Sequence, residues 1–170
     1  YLVVDGAVDG GTLARLRRQM DDWGEESRAH GEPYGPPTVD GRLRFDLEEN
    51  HSAEQPALRR INNPAEISED FHAVMTDAPM VDMVVDLIGP NVKYHHCKIN
   101  SKLPGSQMVV RYHQDFCYTP HTNDDVITAL LLLDDVDVEN GCLMVVPGTH
   151  RGAIDSLFQD GVFTGMVAPA

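Results

Sequence analysis

Residues 108–118 read MVVRYHQDFCY, an apolar β-rich run that ends in a His and an Asp two positions apart. In a strand, side chains at i and i+2 share a face with Cα atoms about 6.5–7 Å apart, so His113 and Asp115 are placed to converge on one metal ion. The plainer reading of the same spacing is a half-buried strand whose His and Asp face solvent. Aromatic and basic neighbours, Arg111, Tyr112, Phe116 and Tyr118, flank the pair.

Outward from this stretch the pattern repeats. VKYHHCKI (92–99), VITALLLLDD (126–135) and CLMVVP (142–147) are short β-rich runs, separated by turn signals such as LPGS (103–106) and ENG (139–141). The chain before Pro90 has a different character. A short strand is expected at Tyr1–Val4, then a helix over about 11–29. There Leu13, Leu16, Met20 and Trp23 recur at spacings of three and four on one face, and Arg15, Arg17, Arg18, Asp21 and Asp22 take the other. Residues 30–57, rich in Gly and Pro, read as an irregular covering segment, and loops of that length are often lids.

Helical spacing returns over 65–89 in two pieces, broken at Pro79 and stopped at Gly89-Pro90. Phe71, Val74, Met75, Val81, Val84, Val85 and Ile88 are expected to form the buried stripe. Helices first and antiparallel strands afterwards make the fold class α+β.

Composition bounds the function. The chain of 170 residues is long enough for one domain that buries roughly two-thirds of its unfolded surface, and 42% hydrophobic with 24% charged residues is ordinary for a soluble globular protein. No apolar run approaches the ~18 residues that cross a bilayer, so no membrane partner is expected. A formal net charge of −14 repels phosphate backbones, so nucleic acid is not expected either. Cys97, Cys117 and Cys142 are an odd set without a C-x-x-C pair, which fits a reducing, cytoplasmic setting; no signal peptide is visible. The expected partner is a small-molecule substrate, with no oligomeric state assigned.

Other histidines have simple explanations. His95 and His96 are adjacent and on a strand would face opposite sides. His150 sits in PGTHRG (147–152), a turn after a strand. Asp124-Asp125 and Asp134-Asp135 read as solvated strand rims.

Four elements in order, YHQDF (112–116), PHTNDD (120–125), NGCL (140–143) and PGTH (147–150), give the H-x-D pair its context. Together they resemble the phytanoyl-CoA dioxygenase family of Fe(II)- and 2-oxoglutarate-dependent oxygenases. HHCKINSKLPG (95–105) and YLVVDGAVD (1–9) extend the likeness more weakly. The resemblance implies a double-stranded β-helix core, jelly-roll and cupin-like, with N-terminal helices packed on one sheet. It makes residues 1–170 a single oxygenase domain, 1–90 its helical covering part and 91–170 the first core strands.

It implies Fe(II), 2-oxoglutarate and O2 as cofactor and cosubstrates, with His113 and Asp115 as catalytic metal ligands in a facial triad. Relatives that halogenate lack this carboxylate, so Asp115 implies hydroxylation. The third ligand and the Arg that holds the oxoacid's far carboxylate are expected beyond residue 170, so the chain reads as truncated before its last core strands. By the same resemblance Cys97, Asn100, Lys102, Leu131 and Arg60 border the oxoacid, although Lys102 and Arg60 also read as plain surface charges. Phe116 and Tyr118, with His121 nearby, border the substrate, or else pack under residues 30–57. The expected activity is hydroxylation of a small organic molecule with release of succinate and CO2. The alternatives are a catalytically inactive jelly-roll binding protein without a complete triad, and a cupin-like metal enzyme that uses no oxoacid. The acidic balance disfavours a CoA ester, whose phosphates want a basic patch.

Overall fold

Asp9 closes the open end of the first helix. A computed structural model of the chain describes residues 1–104 and 109–168. In it the Asp9 carboxylate accepts the amides of Gly11 and Thr12 at 2.8 and 3.0 Å and the Thr12 hydroxyl at 2.6 Å. These are donors that the first turn of a helix leaves without partners. The hydrogen bonds from Thr12, above all, hold the carboxyl below its ordinary value. From this cap α1 runs over Gly10–Ser27, burying Leu16, Trp23 and Ser27, with Leu13 and Met20 half-buried. The apolar face expected from the sequence is the face that packs.

The chain forms two units. One comprises Val4–Ser106 and Leu131–Asp135, the other Tyr1–Val3, Gln107–Leu130 and Val136–Ala170.

The first unit packs α1, α2 (Glu69–Asp77) and α3 (Pro79–Ile88) with an antiparallel sheet of β1 (Phe45–Leu47), β2 (Leu58–Asn62) and β3 (Lys98–Asn100). Ser68 caps α2 by accepting the Phe71 amide, and Pro79 opens α3, where its missing N–H costs nothing. The core joins Leu16, Trp23, Tyr34, Phe45, Leu58, Ile61, Phe71 and Val74. Trp23 stacks on Phe71 and meets Phe45 edge-on, so it is a core residue. The covering segment supplies core too: Tyr34 exchanges backbone hydrogen bonds with Phe45, and both are buried. Leu131 and Leu133 pack against this core, and Arg17 of α1 donates to the Leu133 carbonyl at 2.5 Å and pairs with Asp134 at 3.3 Å.

The second unit carries a hairpin, β4 (Phe158–Gln159) and β5 (Val162–Phe163), in which Phe158 faces Phe163. Asp160 and Gly161 between them both have positive φ, 50° and 79°, as the favoured two-residue hairpin turn requires. Leu157, 1% exposed, anchors the start of this hairpin.

Helix combined with small antiparallel sheets agrees with the expected mixed class; the closed jelly-roll is not formed among the described residues. Tyr1–Val4 is not a strand, and of the expected run 92–99 only Lys98 and Ile99 join a ladder, as part of β3. The runs 109–113, 126–135 and 142–147 form no strand in any ladder among the described residues. Met108, and Gly105-Ser106 of the LPGS turn, lie outside them. The physical reason is that β-propensity expresses the fit of a pleated surface to its neighbours. Here Leu130, Leu132, Leu143 and Val146 are about half exposed or more, with no strand laid beside them. No described helix is long and apolar enough to cross a membrane.

Candidate metal centre

Gln114 has extended backbone and leads into a single 3-10 turn at Asp115–Cys117. The strand expected at this point is therefore an extended residue running into a turn, yet the side chains on either side of Gln114 still converge. His113 Nε2 lies 3.2 Å from Asp115 Oδ1. Two atoms each bonded to one ion at about 2.1 Å can be at most about 4.2 Å apart, so the pair is close enough to share a cation.

The other nitrogen of the ring fixes which atom does the work. His113 Nδ1 is 2.7 Å from the carbonyl oxygen of Arg111. A carbonyl only accepts, so Nδ1 donates a proton to it, and Nε2 is the nitrogen turned toward Asp115. This is the usual support of a metal-binding histidine, whose second nitrogen donates to an oxygen. The far oxygen of the carboxylate is also engaged: the Thr128 hydroxyl donates to Asp115 Oδ2 at 2.5 Å. The side chains of His113 and Asp115 are 24% and 50% exposed, so an ion can reach them from solvent.

The intervening residue anchors the motif from behind. Gln114 Oε1 accepts the Asp155 amide at 2.7 Å, its amide nitrogen is 3.5 Å from the Ala153 carbonyl, and the Cys117 thiol reaches the Asp155 carbonyl at 3.4 Å. Tyr118 braces the imidazole. Its ring meets His113 edge-on at 5.3 Å and Phe163 of β5 at 5.5 Å, and its hydroxyl donates to the Gly165 carbonyl at 2.6 Å. Phe116 is half-buried.

His150 stands exposed on the turn Thr149–Arg151, and among the described residues no group of three or more His, Cys, Asp or Glu is placed to hold a metal. His95 and His96 depart from expectation. Their backbone is outside any strand, so strict alternation does not apply, and their Nδ1 atoms lie 2.5 Å apart with the rings edge-on.

The residues expected around the oxoacid lie in the first unit. Arg60 and Asn100 are opposite each other across β2 and β3, and Arg60 Nε donates to Asn100 Oδ1 at 3.2 Å. Burial, and then the neighbouring Arg59, push the Arg60 pKa down, against the opposing attraction of Asp46. Arg59 has a carboxylate partner, Asp46 at 3.2 Å, whereas Arg60 bonds to an amide. Cys97 is tied by its backbone to Asn63, which donates its amide to the Cys97 carbonyl at 2.9 Å and accepts the Cys97 amide on its side-chain oxygen at 3.2 Å. Tyr94 next to it has its pKa raised, first by burial and then by a hydrogen bond with the Cys97 thiol. Lys102 is exposed, and Leu131 is half-buried against the core.

Thr128 and Gln114 are the contributors that sequence reasoning passed over. No local signal marks Thr128, thirteen residues from the carboxylate it serves. Gln114 is the middle residue of H-Q-D, and its side chain bonds to the backbone at Ala153 and Asp155.

No solved structure matches the chain significantly. Among curated proteins, the "Probable alpha-ketoglutarate-dependent hypophosphite dioxygenase" of Stutzerimonas stutzeri is 33% identical over 110 residues, 65% of this chain and 38% of that protein. Peroxisomal phytanoyl-CoA dioxygenase of Homo sapiens is 26% identical over 160 residues, 91% and 45% of the two chains. L-proline trans-4-hydroxylase of Streptomyces griseoviridis is 28% identical over 120 residues, 68% and 43%. The chain thus spans less than half the length of these relatives. The sequence model of one family, phytanoyl-CoA dioxygenase (PhyH), matches residues 1–161 and so takes in the helical half as well as the H-x-D motif. On the breadth of that match, the chain belongs to the phytanoyl-CoA dioxygenase (PhyH) family.

Proposed function

We propose that the protein is an Fe(II)- and 2-oxoglutarate-dependent dioxygenase that hydroxylates a small organic substrate and releases succinate and CO2. The observation that carries this reading is the approach of His113 Nε2 to Asp115 Oδ1, 3.2 Å, with Nδ1 committed to the Arg111 carbonyl so that Nε2 is the nitrogen left to face the carboxylate. A neutral nitrogen and an anionic oxygen suit Fe(II), and the residues present fit that ion. When bound, the iron supplies the chemistry by which O2 oxidises the oxoacid and the substrate.

The protein's own part is to hold and to orient. His113 gives a lone pair fixed by the Arg111 carbonyl, and Asp115 gives charge, which also favours hydroxylation over halogenation. For the oxoacid we assign Arg60, Asn100, Cys97, Lys102 and Leu131. The support is strongest for Arg60, a part-buried guanidinium facing an amide that a dianion would relieve. Phe116 and Tyr118 are assigned to the substrate. Because the Tyr118 hydroxyl is committed to Gly165, its ring offers a wall.

The family match over residues 1–161 supports one oxygenase domain, for which the proposed core is the double-stranded β-helix. The relatives carry enzyme names, which lend no support to an inactive binding protein. A cytoplasmic setting is proposed from the free cysteines Cys97, Cys117 and Cys142. Nucleic acid and membranes are not proposed as partners.

The test is 2-oxoglutarate turnover by the full-length protein with Fe(II), against a panel that includes hypophosphite, L-proline and an acyl-CoA, the substrates named for relatives. One panel member should raise succinate formation and appear hydroxylated or oxidised. Oxoacid consumption that persists undiminished in Asp115→Ala would overturn the assignment.

A further inference from the structure

The two oxygens of Asp115 do different things. Oδ1 faces His113 Nε2 at 3.2 Å, and Oδ2 accepts the Thr128 hydroxyl at 2.5 Å, a distance typical of a charge-assisted O–H···O⁻ bond. A free carboxylate on a short side chain rotates about its last torsion and can offer a cation either oxygen or both. Here one oxygen is held. Resting on the reading of His113 and Asp115 as iron ligands, we infer that Thr128 is a positioning residue: its hydroxyl holds Asp115 so that a single oxygen, Oδ1, meets the metal.

Three features carry the inference. The bond spans thirteen residues between a turn and a separate segment, so it is not an incidental local contact within the motif. It is made to the oxygen that does not face the histidine, which is the one that must be restrained if binding is to be one-oxygen only. And the imidazole is restrained in the same manner, by Nδ1 donating to the Arg111 carbonyl, so that each ligand has its outward atom fixed by a hydrogen bond to its inward one. Holding Oδ2 away also leaves coordination positions on the ion to the oxoacid and O2.

The test is titration of Mn(II), an air-stable surrogate, into full-length protein, following loss of the free-ion electron paramagnetic resonance signal. Wild type, Thr128→Val, Thr128→Ser and Asp115→Ala are compared. Thr128→Val keeps the shape and removes the hydroxyl; it should raise the Mn(II) Kd about ten- to a hundredfold, the usual effect of losing an outer partner of a metal ligand. It should also change the spectrum of the bound ion as Oδ2 becomes available. Thr128→Ser should restore both affinity and spectrum. Should Asp115→Ala lose Mn(II) while Thr128→Val binds like wild type, the role of Thr128 is wrong and the ligand reading survives. Should Ser and Val weaken binding alike, the hydroxyl is not the agent and the inference falls. If Asp115→Ala binds as wild type does, the ligand reading itself falls and takes the inference with it.

Discussion

Asp115 and His113 meet at the surface, and that location separates their contribution to stability from their contribution to function. Even a fully charged pair exposed to solvent contributes only on the order of 0–1 kcal/mol, and these side chains are 50% and 24% exposed. Asp115→Ala is therefore expected to leave the thermal midpoint nearly unchanged, seen by circular dichroism, while abolishing substrate-coupled succinate formation. A large loss of stability with activity retained would make the pair structural. The i, i+2 spacing singled out these two residues in the sequence, and their side chains approach each other although the local backbone is a turn entry and not a strand. Arg60 and Asn100, forty positions apart, were legible only as separate polar residues. Their pairing is set by the register of β2 on β3, which no short window contains.

Capping and turn chemistry govern the elements. Asp9→Ala should lower stability by uncapping α1. The sign with pH follows from its carboxyl, whose folded pKa lies below the ordinary value of an aspartate. Its stabilisation is present above the unfolded value and is lost as pH falls through the folded one. Denaturation curves should thus show the wild-type advantage over Asp9→Ala at neutral pH and its disappearance in acid.

In the second unit, Gly165 has φ 68°, and a Cβ there would lie 2.6 Å from the Tyr118 hydroxyl oxygen. Gly165→Ala should cost about 1–3 kcal/mol through backbone strain and the displaced tyrosine, measured by urea unfolding. An unchanged midpoint would mean that Tyr118 is not held by this carbonyl. Helices were the most readable elements, since α1, α2 and the Pro79 break into α3 follow apolar spacing and cap residues. The hairpin of β4 and β5 went unread, although Asp160-Gly161 between two β-rich pairs is a plain turn signal. Strands fared worst because a strand exists by pairing, and a β-rich apolar run at 126–135 or 142–147 says nothing of what lies alongside.

Across the whole molecule, the family assignment rests on a match over residues 1–161, while the described chain spans less than half of its curated relatives. A net charge of −14 raises the local concentration of cations and opposes anions. Added salt should therefore weaken metal capture, and the apparent Kd for Mn(II) should rise between low and physiological ionic strength; a flat response would confine the effect to the ligands alone.

The central claim is that His113 and Asp115 together place Fe(II) where 2-oxoglutarate can chelate it. Anaerobic addition of Fe(II) and 2-oxoglutarate to the full-length protein, followed by visible absorbance, tests it without knowledge of the substrate. Chelation of the ferrous ion by the oxoacid produces a metal-to-ligand charge-transfer band. The account predicts that band in the wild type and its absence in both His113→Ala and Asp115→Ala. An undiminished band in either variant would contradict it.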